Sequence, residues 1–337
     1  MSDHLNYIAT WFYKESKEEA SYYPQVGGKG DSELVHSIYM KIQVPFFTTF
    51  RHYHSDAHLL FYTNLHEADL PQFLNALFQR LHVEIVTLPY QSKPPKGWHN
   101  AWQNQFYVYD ILKDMERRMR PTDTILICDA DCLCHRPLND LLNQVYHEGS
   151  ALYELATHPQ QLINGTTLQQ MNEFYRLCYH KEPEEPIYYY GGEFIALRGD
   201  IVKKINAAFP ALWAFNIGLK ENEPRLHEEA HVLSILAEQL HFRNANANRY
   251  IKRMWTNPNF TNVIKGDENF SVWHLPYEKK RGLYYLYKLL QNNKTFPNET
   301  EFWQKAGLYC GIPQRTPGKK LMDLWETIRN KMQGLCH

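Results

Sequence analysis

The strongest constraint on the fold of this chain is a regular alternation of apolar strand-like runs and amphipathic helical stretches. Strands are predicted at residues 5–13, 58–63, 83–88 and 124–129, and helices from Asp31 onward, at 67–81 and at 100–119. Strands that alternate with helices form a mostly parallel sheet with helices on both faces. The sequence therefore predicts an α/β fold that binds its ligands beyond the carboxyl ends of the strands.

The second half of the chain lacks that regular alternation. It holds helical patterns at 168–179, 228–239 and 283–290, a Pro/Glu-rich break at 181–186 and a strand-like run at 188–199. No internal repeat of useful length is visible. We expect this half to build an additional region onto the first half.

Charge and cysteine usage narrow the class of protein. Lys and Arg number 36 against 37 Asp and Glu, so the formal net charge is −1 and we expect no nucleic-acid partner. The chain shows neither a leader pattern nor an apolar run of about 18 residues. Its six cysteines follow no disulfide spacing, and the cluster Cys128, Cys132, Cys134 and His135 fits no closed zinc site. We expect a cytoplasmic protein with reduced thiols.

Two aspartates follow the last strand of the alternating region. Asp129 and Asp131 are separated by one alanine and come directly after the apolar run Ile125 to Ile127. Side chains two residues apart on an extended chain share a face, so both carboxylates can enter the cleft beyond the strand. Hard oxygen ligands suit Mg²⁺ or Mn²⁺, and such an ion can bridge a diphosphate. We predict that Asp129 and Asp131 are metal ligands.

With this triplet in this position, the chain resembles the GT-A glycosyltransferases, whose Asp-x-Asp motif binds the metal and diphosphate of a nucleotide-sugar. Further motifs resemble the retaining family that contains the blood-group transferases and α-1,3-galactosyltransferase: Ile8-Ala9-Thr10 with Tyr13, Tyr190-Gly191-Gly192, and His227-Glu228-Glu229-Ala230-His231. The resemblance implies that Ala9, Thr10 and Tyr13 hold the nucleoside and that Gly191 and Gly192 belong to the donor site. It also implies that Glu229 lies against the anomeric carbon, as nucleophile or as stabiliser of an oxocarbenium ion.

One departure from that family concerns the predicted helix before Asp129. Such enzymes commonly carry an arginine there, directed toward the diphosphate or sugar, whereas residues 100–112 contain none. We expect Asn104 or Gln105 to take its place.

A histidine followed by consecutive cations stands near the end of the predicted domain. His274 closes a strand-like run, and Lys279, Lys280 and Arg281 follow it. An imidazole can complete a Mn²⁺ shell begun by carboxylates, while ammonium groups can neutralise a departing diphosphate. The segment resembles the His…Lys motif of the glycogenin-like and lipooligosaccharide-galactosyltransferase GT-A enzymes, which implies that His274 is the third metal ligand and that Lys279 and Lys280 bind the donor.

Together these features predict a GT-A catalytic domain over residues 1–282, with a nucleotide-sugar half at 1–135 and an acceptor half at 136–282. We expect a Mn²⁺- or Mg²⁺-dependent enzyme that moves a hexose from a nucleotide-sugar, most simply UDP-linked, to a glycan or glycolipid hydroxyl with retention. If Glu229 faced the acceptor hydroxyl instead, it would act as a general base and the outcome would be inversion. A nucleotidyltransferase, a diphosphate hydrolase and a catalytically inactive sugar-binding relative are the alternatives.

Residues 283–337 are predicted to form a C-terminal helical extension. Its last helix places apolar side chains at helical spacing, namely Leu321, Leu324, Trp325, Ile328, Met332 and Leu335, among the basic residues Lys319, Lys320, Arg329 and Lys331. We expect this helix to pack on the domain. The alternative is contact with a partner protein or with the inner face of a membrane, because the helix is basic as well as amphipathic.

Overall fold

The computed structural model describes residues 4–99, 101–156, 158–291, 293 and 295–334. In chain order the strands are β1 (Asn6–Phe12), β2 (Tyr22–Tyr23), β3 (Gly28–Lys29), β4 (His58–Thr63), β5 (Val83–Thr87), β6 (Thr124–Cys128), β7 (Cys132–Cys134), β8 (Ser150–Ala156), β9 (Leu162–Ile163), β10 (Thr166–Thr167), β11 (Tyr189–Arg198), β12 (Ile251–Arg253), β13 (Thr256–Asn257), β14 (Phe260–Thr261) and β15 (Val272–His274). The helices are α1 (Glu33–Tyr53), α2 (Gln72–Leu81), α3 (Tyr107–Arg118), α4 (Asn139–Glu148), α5 (Leu168–Tyr179), α6 (Gly199–Gly218), α7 (Glu229–Gln239), α8 (Gly282–Gln291), α9 (Glu299–Cys310) and α10 (Pro317–Gly334).

A six-stranded sheet organises the molecule, with strand order β5-β4-β1-β6-β11-β8. The first four of these strands run parallel, and β11 runs antiparallel to both β6 and β8. The parallel part matches the predicted alternation, because each crossover between its strands contains a helix. The carboxyl ends of β1, β4 and β6 therefore lie at one edge of the sheet.

The strands are apolar because both faces of the sheet are covered. Ile8 and Leu126 belong to a buried cluster on one face, and Ala9 and Ile127 belong to a cluster on the other, as alternation along a strand requires. Buried side chains of α1, α2, α4, α8 and α9 join the first cluster, and those of α3, α5, α6 and α7 join the second. Helices α8 and α9 of the predicted extension thus share the core of the sheet.

Two predicted helices begin later than expected. The stretch 67–81 is divided, because Leu70 takes the extended conformation that a following proline favours, and α2 begins at Gln72. The stretch expected from residue 100 becomes helical only at Tyr107, since Trp102 has a φ of 47°, which no α-helix accommodates. Residue 100 lies outside the described residues. Asn104 and Gln105 are therefore in a turn before α3.

A second, three-stranded sheet completes the site region. Its order is β12-β15-β7, with β15 parallel to β12 and antiparallel to β7. Strand β7 begins one residue after Asp131, and its Cys132 is paired with His274 at the end of β15. The small sheet thus places His274, at the end of β15, next to the aspartate pair.

The C-terminal helix differs from our expectation. Four side chains of its apolar stripe are exposed, namely Leu321, Leu324, Trp325 and Ile328, at 68%, 57%, 64% and 41%. The helix α10 instead meets the rest of the protein through charged residues: buried Lys319 donates to Glu278 at 2.6 Å and to Asp323 at 2.8 Å. The prediction that this stripe packs on the domain is therefore wrong for these four residues. The Met332 side chain and Leu335 lie outside what the structure describes.

Within the described residues, no helix combines the length and apolar character that crossing a membrane requires.

Candidate active site

A cavity of about 210 Å³ opens at the carboxyl edge of the main sheet. Its walls come from the end of β1, the loop after β6, the middle of β11, the start of α7 and the segment that follows β15. Asp129, Asp131, Glu229, His274 and Lys279 all line it. This is the position that the α/β pattern predicts for a ligand.

Asp129, Asp131 and His274 form a cluster with metal-ligand geometry. One ligand atom from each lies within 4.8 Å of the others, and no other such group of three or more occurs in the part of the chain that the structure describes. The His274 Nε2 atom lies 3.3 Å from Asp131 Oδ2 and 3.7 Å from Asp129 Oδ2. Two carboxylate oxygens and one imidazole nitrogen are a suitable donor set for Mn²⁺ or Mg²⁺.

The charges of the cluster influence one another strongly. Burial alone would raise the pKa of Asp131, but Lys279 and His274 hold it below its usual value. Burial and the charge of Asp131 raise the pKa of Asp129 to about 6. Burial would lower the pKa of His274, yet Asp131 and Glu193 outweigh it and raise that pKa to about 9. Lys279 and His274 thus offset part of the negative charge of the two aspartates.

The two predicted lysines have different positions. The Nζ atom of Lys279, which is buried, donates to Asp131 Oδ2 at 2.5 Å. The Nζ atom of Lys280 donates to the carbonyl oxygen of Val26 at 3.0 Å. Lys279 therefore lies in the cavity beside the metal cluster, while Lys280 contacts the glycine-rich segment near Gly27.

Glu229 lies at the first position of α7, where its carboxylate lines the cavity. Its side chain is 9% exposed, and its Oε2 atom has no hydrogen-bond partner. Burial raises the pKa of Glu229 well above the usual value, and the charges of Glu228 and Asp129 raise it further. The protein thus holds a buried carboxylate whose Oε2 atom has no hydrogen-bond partner and which positive charge in the cavity would stabilise.

Gly191 and Gly192 leave room for two carboxylates. A Cβ atom on Gly192 would collide with Oε1 of Glu229, and one on Gly191 would collide with Oε2 of Glu193. Of the two glycines, Gly192 lines the cavity. The Tyr-Gly-Gly motif therefore governs where Glu193 and Glu229 can lie.

The predicted nucleoside-binding residues are not at the metal cluster. Ala9 and Thr10 are buried within β1 and do not line the main cavity, whereas the following Trp11 and Phe12 do. Tyr13 instead lines a smaller cavity of about 120 Å³, together with Tyr90 and Lys93. Asn104 lines both cavities, and Gln105 lines the main one.

Several cavity residues were not predicted from the sequence. Glu193 and Arg253 are joined at 2.6 Å between β11 and β12, Glu228 accepts from Tyr189 at 2.5 Å, and Trp255 contributes an aromatic wall. Their partners lie far away along the chain, so no local spacing identifies them. Glu228 could have been considered, because it adjoins Glu229 in the His-Glu-Glu-Ala-His motif.

The cysteines near the aspartates have a packing role. Cys128, Cys132 and Cys134 are buried, and burial raises the pKa of each thiol. The described cysteines are free thiols, as expected.

No protein-family model matches the chain, and no curated protein matches it. Among solved structures it is similar to the WbbM bifunctional glycosyltransferase, with 9% identity, 90% of this chain covered and a TM-score of 0.51. This chain spans only 52% of that WbbM chain. A complex of galactosyltransferase LgtC with donor and acceptor sugar analogues has 12% identity, coverages of 89% of this chain and 100% of that one, and a TM-score of 0.48. Mouse xyloside xylosyltransferase 1 has 9% identity, coverages of 80% and 97%, and a TM-score of 0.45.

The likeness to WbbM shows a common fold and confirms the GT-A architecture predicted from the sequence.

Proposed function

We propose that this protein is a metal-dependent glycosyltransferase that moves a hexose from a nucleotide-sugar, most simply a UDP-linked one, to a glycan or glycolipid hydroxyl. The observation that carries the proposal is one cavity that holds both the Asp129-Asp131-His274 cluster and the buried carboxylate of Glu229, whose Oε2 atom has no hydrogen-bond partner. The metal cluster would bind the diphosphate of the donor. The Glu229 carboxylate would stabilise the positive charge that develops on the sugar. The fold shared with the glycosyltransferase WbbM adds support.

Asp129, Asp131 and His274 would hold Mn²⁺ or Mg²⁺ in this proposal. Their oxygen and nitrogen donors match the ligand preferences of these ions, and the three ligand atoms are already close together. When bound there, the ion supplies positive charge that offsets the charge of the diphosphate leaving group.

Lys279 is the protein's own cation for the same task. Its ammonium group already neutralises Asp131 and lines the cavity, so it can turn to a diphosphate oxygen once Asp131 has another positive partner. Lys280 contributes through the segment at Val26, which it holds beside the cavity. A charge that forms on the leaving group is stabilised most by groups that are oriented beforehand.

Glu229 acts on the sugar in this scheme. An ionised carboxylate against the anomeric carbon can stabilise an oxocarbenium-like transition state. Alternatively, it can displace the diphosphate from that carbon and form a glycosyl-enzyme bond, which the acceptor hydroxyl then breaks, and these two inversions give retention. Gly192 belongs to the same subsite, because its missing side chain admits the Glu229 carboxylate. Gly191 supports that subsite from the neighbouring position on β11.

We assign the nucleoside to the region beyond β1. Tyr13 contacts Tyr90 at a ring separation of 5.0 Å, and both line the smaller cavity that adjoins the main one through Asn104. Aromatic faces of this kind suit a planar base. Ala9 and Thr10 would then act by fixing the backbone of β1 rather than by touching the base.

We propose the division predicted from the sequence, with a nucleotide-sugar half at 1–135 and an acceptor half at 136–282, although the donor would also contact Glu229, His274 and Lys279 of the second half. The aspartate pair belongs to the first part, whereas Glu229 and His274 belong to the second. The reacting groups would therefore meet at the junction of the two parts.

A donor screen tests the proposal. We expect nucleotide-sugars to raise the melting temperature only with Mn²⁺ or Mg²⁺ present, and the preferred donor to be consumed when a glycan acceptor is added. Asp129→Asn and Asp131→Asn should abolish metal-dependent turnover, since each replaces an anionic ligand at nearly constant volume. Asp131→Asn should also lower the melting temperature, because it leaves the buried Lys279 without its carboxylate partner. Full activity of both variants in EDTA would contradict the proposal.

The products distinguish the alternatives. Transfer of the sugar with the α-anomer retained supports the proposal, and an inverted product would make Glu229 a general base. Release of a nucleoside monophosphate would instead indicate a diphosphate hydrolase. Donor binding without any product would indicate an inactive relative.

A further inference from the structure

Glu193 occupies an irregular part of β11 beside the candidate metal site. The pairing of β11 with β8 shifts its register between Tyr190 and Ile195, and Glu193 lies within that interval. Such bulges redirect side chains and are frequent next to active sites. The Glu193 side chain is 2% exposed and lines the cavity, and its backbone oxygen accepts from the Asp129 N–H at 3.1 Å. Glu193 thus adjoins the metal cluster through its backbone as well as through its side chain.

The carboxylate of Glu193 faces the ring nitrogen of His274 that points away from the aspartates. His274 Nδ1 lies 3.3 Å from Glu193 Oε1, while Nε2 faces Asp129 and Asp131. A neutral imidazole carries its proton on one nitrogen, and the partner of that nitrogen decides which one remains free for a metal. Nδ1 makes no hydrogen bond in this structure, but the negative charge of Glu193 at 3.3 Å favours a proton on Nδ1 and therefore the tautomer whose Nε2 can bind a metal ion.

Arg253 holds the Glu193 carboxylate in place. Its Nε atom donates to Glu193 Oε1 at 2.6 Å, the same oxygen that faces His274. The missing Cβ of Gly191 leaves the space that Oε2 of Glu193 occupies. Three separate parts of the chain thus converge on one carboxylate.

We infer that Glu193 is a positioning residue for the metal site: it orients the imidazole of His274 so that Nε2 faces the ion, and it thereby sets the metal affinity. This inference rests on the proposed function, because it concerns the same cluster. Carboxylates behind a metal-binding histidine typically contribute 10- to 100-fold in metal affinity.

Mn²⁺ titration of the purified full chain, without any donor, tests this role. We expect Glu193→Gln to weaken Mn²⁺ binding by roughly 10- to 100-fold. Glu193→Asp retains the charge for Arg253 but moves the carboxylate away from His274, so it should also weaken binding. The matched control is Glu238→Gln, which removes an equally buried carboxylate that pairs with Arg243 at 3.0 Å outside the cavity. We expect it to leave the Mn²⁺ affinity unchanged.

Pulsed electron paramagnetic resonance of bound Mn²⁺ gives a second measurement that a general loss of stability would not change. The wild-type protein should show coupling to an imidazole nitrogen, His274→Ala should lack it, and Glu193→Gln saturated with Mn²⁺ should show it weakened or lost. Unchanged affinity and unchanged coupling in both Glu193 variants would overturn the inference while leaving the metal site intact. If the wild-type protein bound no Mn²⁺, the metal site of the proposed function would itself be refuted, and this role with it.

Discussion

At the scale of single residues, Glu229 differs from the other carboxylates of the cavity because its Oε2 atom is buried without a hydrogen-bond partner. Asp131 has Lys279 and Glu193 has Arg253, whereas Oε2 of Glu229 accepts no hydrogen bond. A carboxylate at the first turn of a helix gains some stability from the helix dipole, but that does not require a cavity in front of it. The arrangement agrees with a group whose partner arrives with the substrate.

Glu229→Gln should separate catalysis from stability. We expect nearly normal donor affinity and a fall in turnover on the order of a hundredfold or more, as when one strong electrostatic stabiliser is lost. Because the raised pKa of Glu229 means that ionisation costs folding energy, the variant should melt at a higher temperature than wild type at pH 8, and the difference should shrink toward pH 4. Melting curves, donor titration and turnover check this. Wild-type turnover would exclude Glu229 from the chemistry.

Gly192→Ala should change the position of the Glu229 carboxylate without changing Glu229 itself. The new methyl group would displace the Glu229 carboxylate, so turnover should fall by a factor similar to that of Glu229→Gln. Gly218→Ala is the control, because a Cβ there meets no atom within 4 Å. Equal turnover of the two alanine variants would show that the position of Glu229 is not critical.

At the scale of elements, a buried charge network connects α10 with the segment that carries Lys279. Lys319 contacts Glu278, the residue before Lys279, and Asp323, which Arg315 also contacts at 2.5 Å. A buried ion pair gives little net stability over an apolar pair, but removal of one partner leaves the other charge uncompensated. The helix therefore depends on Lys319 for its attachment.

Lys319→Met should lower the free energy of unfolding by about 3 to 5 kcal/mol, because Glu278 and Asp323 would keep their buried charges without it. Chemical denaturation measures this change. The control is Lys305→Met, which removes an exposed pair with Glu301 and should cause no measurable change. If the two variants unfolded alike, the Lys319 network would have no special importance.

The elements also show which features a sequence pattern can reveal. Strands such as His58–Thr63 and the aspartate pair after β6 were predicted because their signals are local: an apolar run, and a polar triplet directly after it. The start of α3 was not predicted correctly, because the left-handed conformation of Trp102 has no sequence signal of its own. The apolar stripe of α10 has the period of a packed helix face, yet helical period alone does not say what covers a face.

The site could be predicted only in part for the same reason. Asp129 and Asp131 could be predicted from their spacing after an apolar strand. His274 could be predicted from its position before a run of cationic residues. Glu193 and Arg253 are remote from each other in the chain and meet only because β12 joins β15 beside the main sheet. Contacts of that kind arise from tertiary structure, so a single sequence does not contain them as a pattern.

At the scale of the whole molecule, buried neutral histidines make stability depend on pH. Burial lowers the pKa of His54, His135 and His227 to about 4 and that of His231 to about 3, against an ordinary value of 6.5. A group with a lowered pKa in the folded state binds protons more readily when unfolded. Its contribution to stability is therefore complete above about pH 6.5 and is lost as the pH falls toward 4.

We expect the melting temperature to fall steeply between pH 6.5 and pH 4, and His54→Gln to reduce that fall. His54 Nε2 accepts from the Leu138 N–H at 3.2 Å and joins α1 to the start of α4, while Asp56 and Arg51 are the nearest charges that act on it. His66→Gln, at an exposed position, is the control. A pH profile of His54→Gln that coincides with that of wild type would contradict this explanation.

The pairing of β7 with β15 also has a consequence for how the protein is made. Asp129 and Asp131 emerge from the ribosome long before His274, and β15 must lie between β12 and β7 before the imidazole reaches them. A nascent chain that has only its first half therefore carries the aspartates without their third partner. Under the proposed function, the three candidate ligands can therefore meet only after residue 274 has been synthesised and β15 has paired with β7.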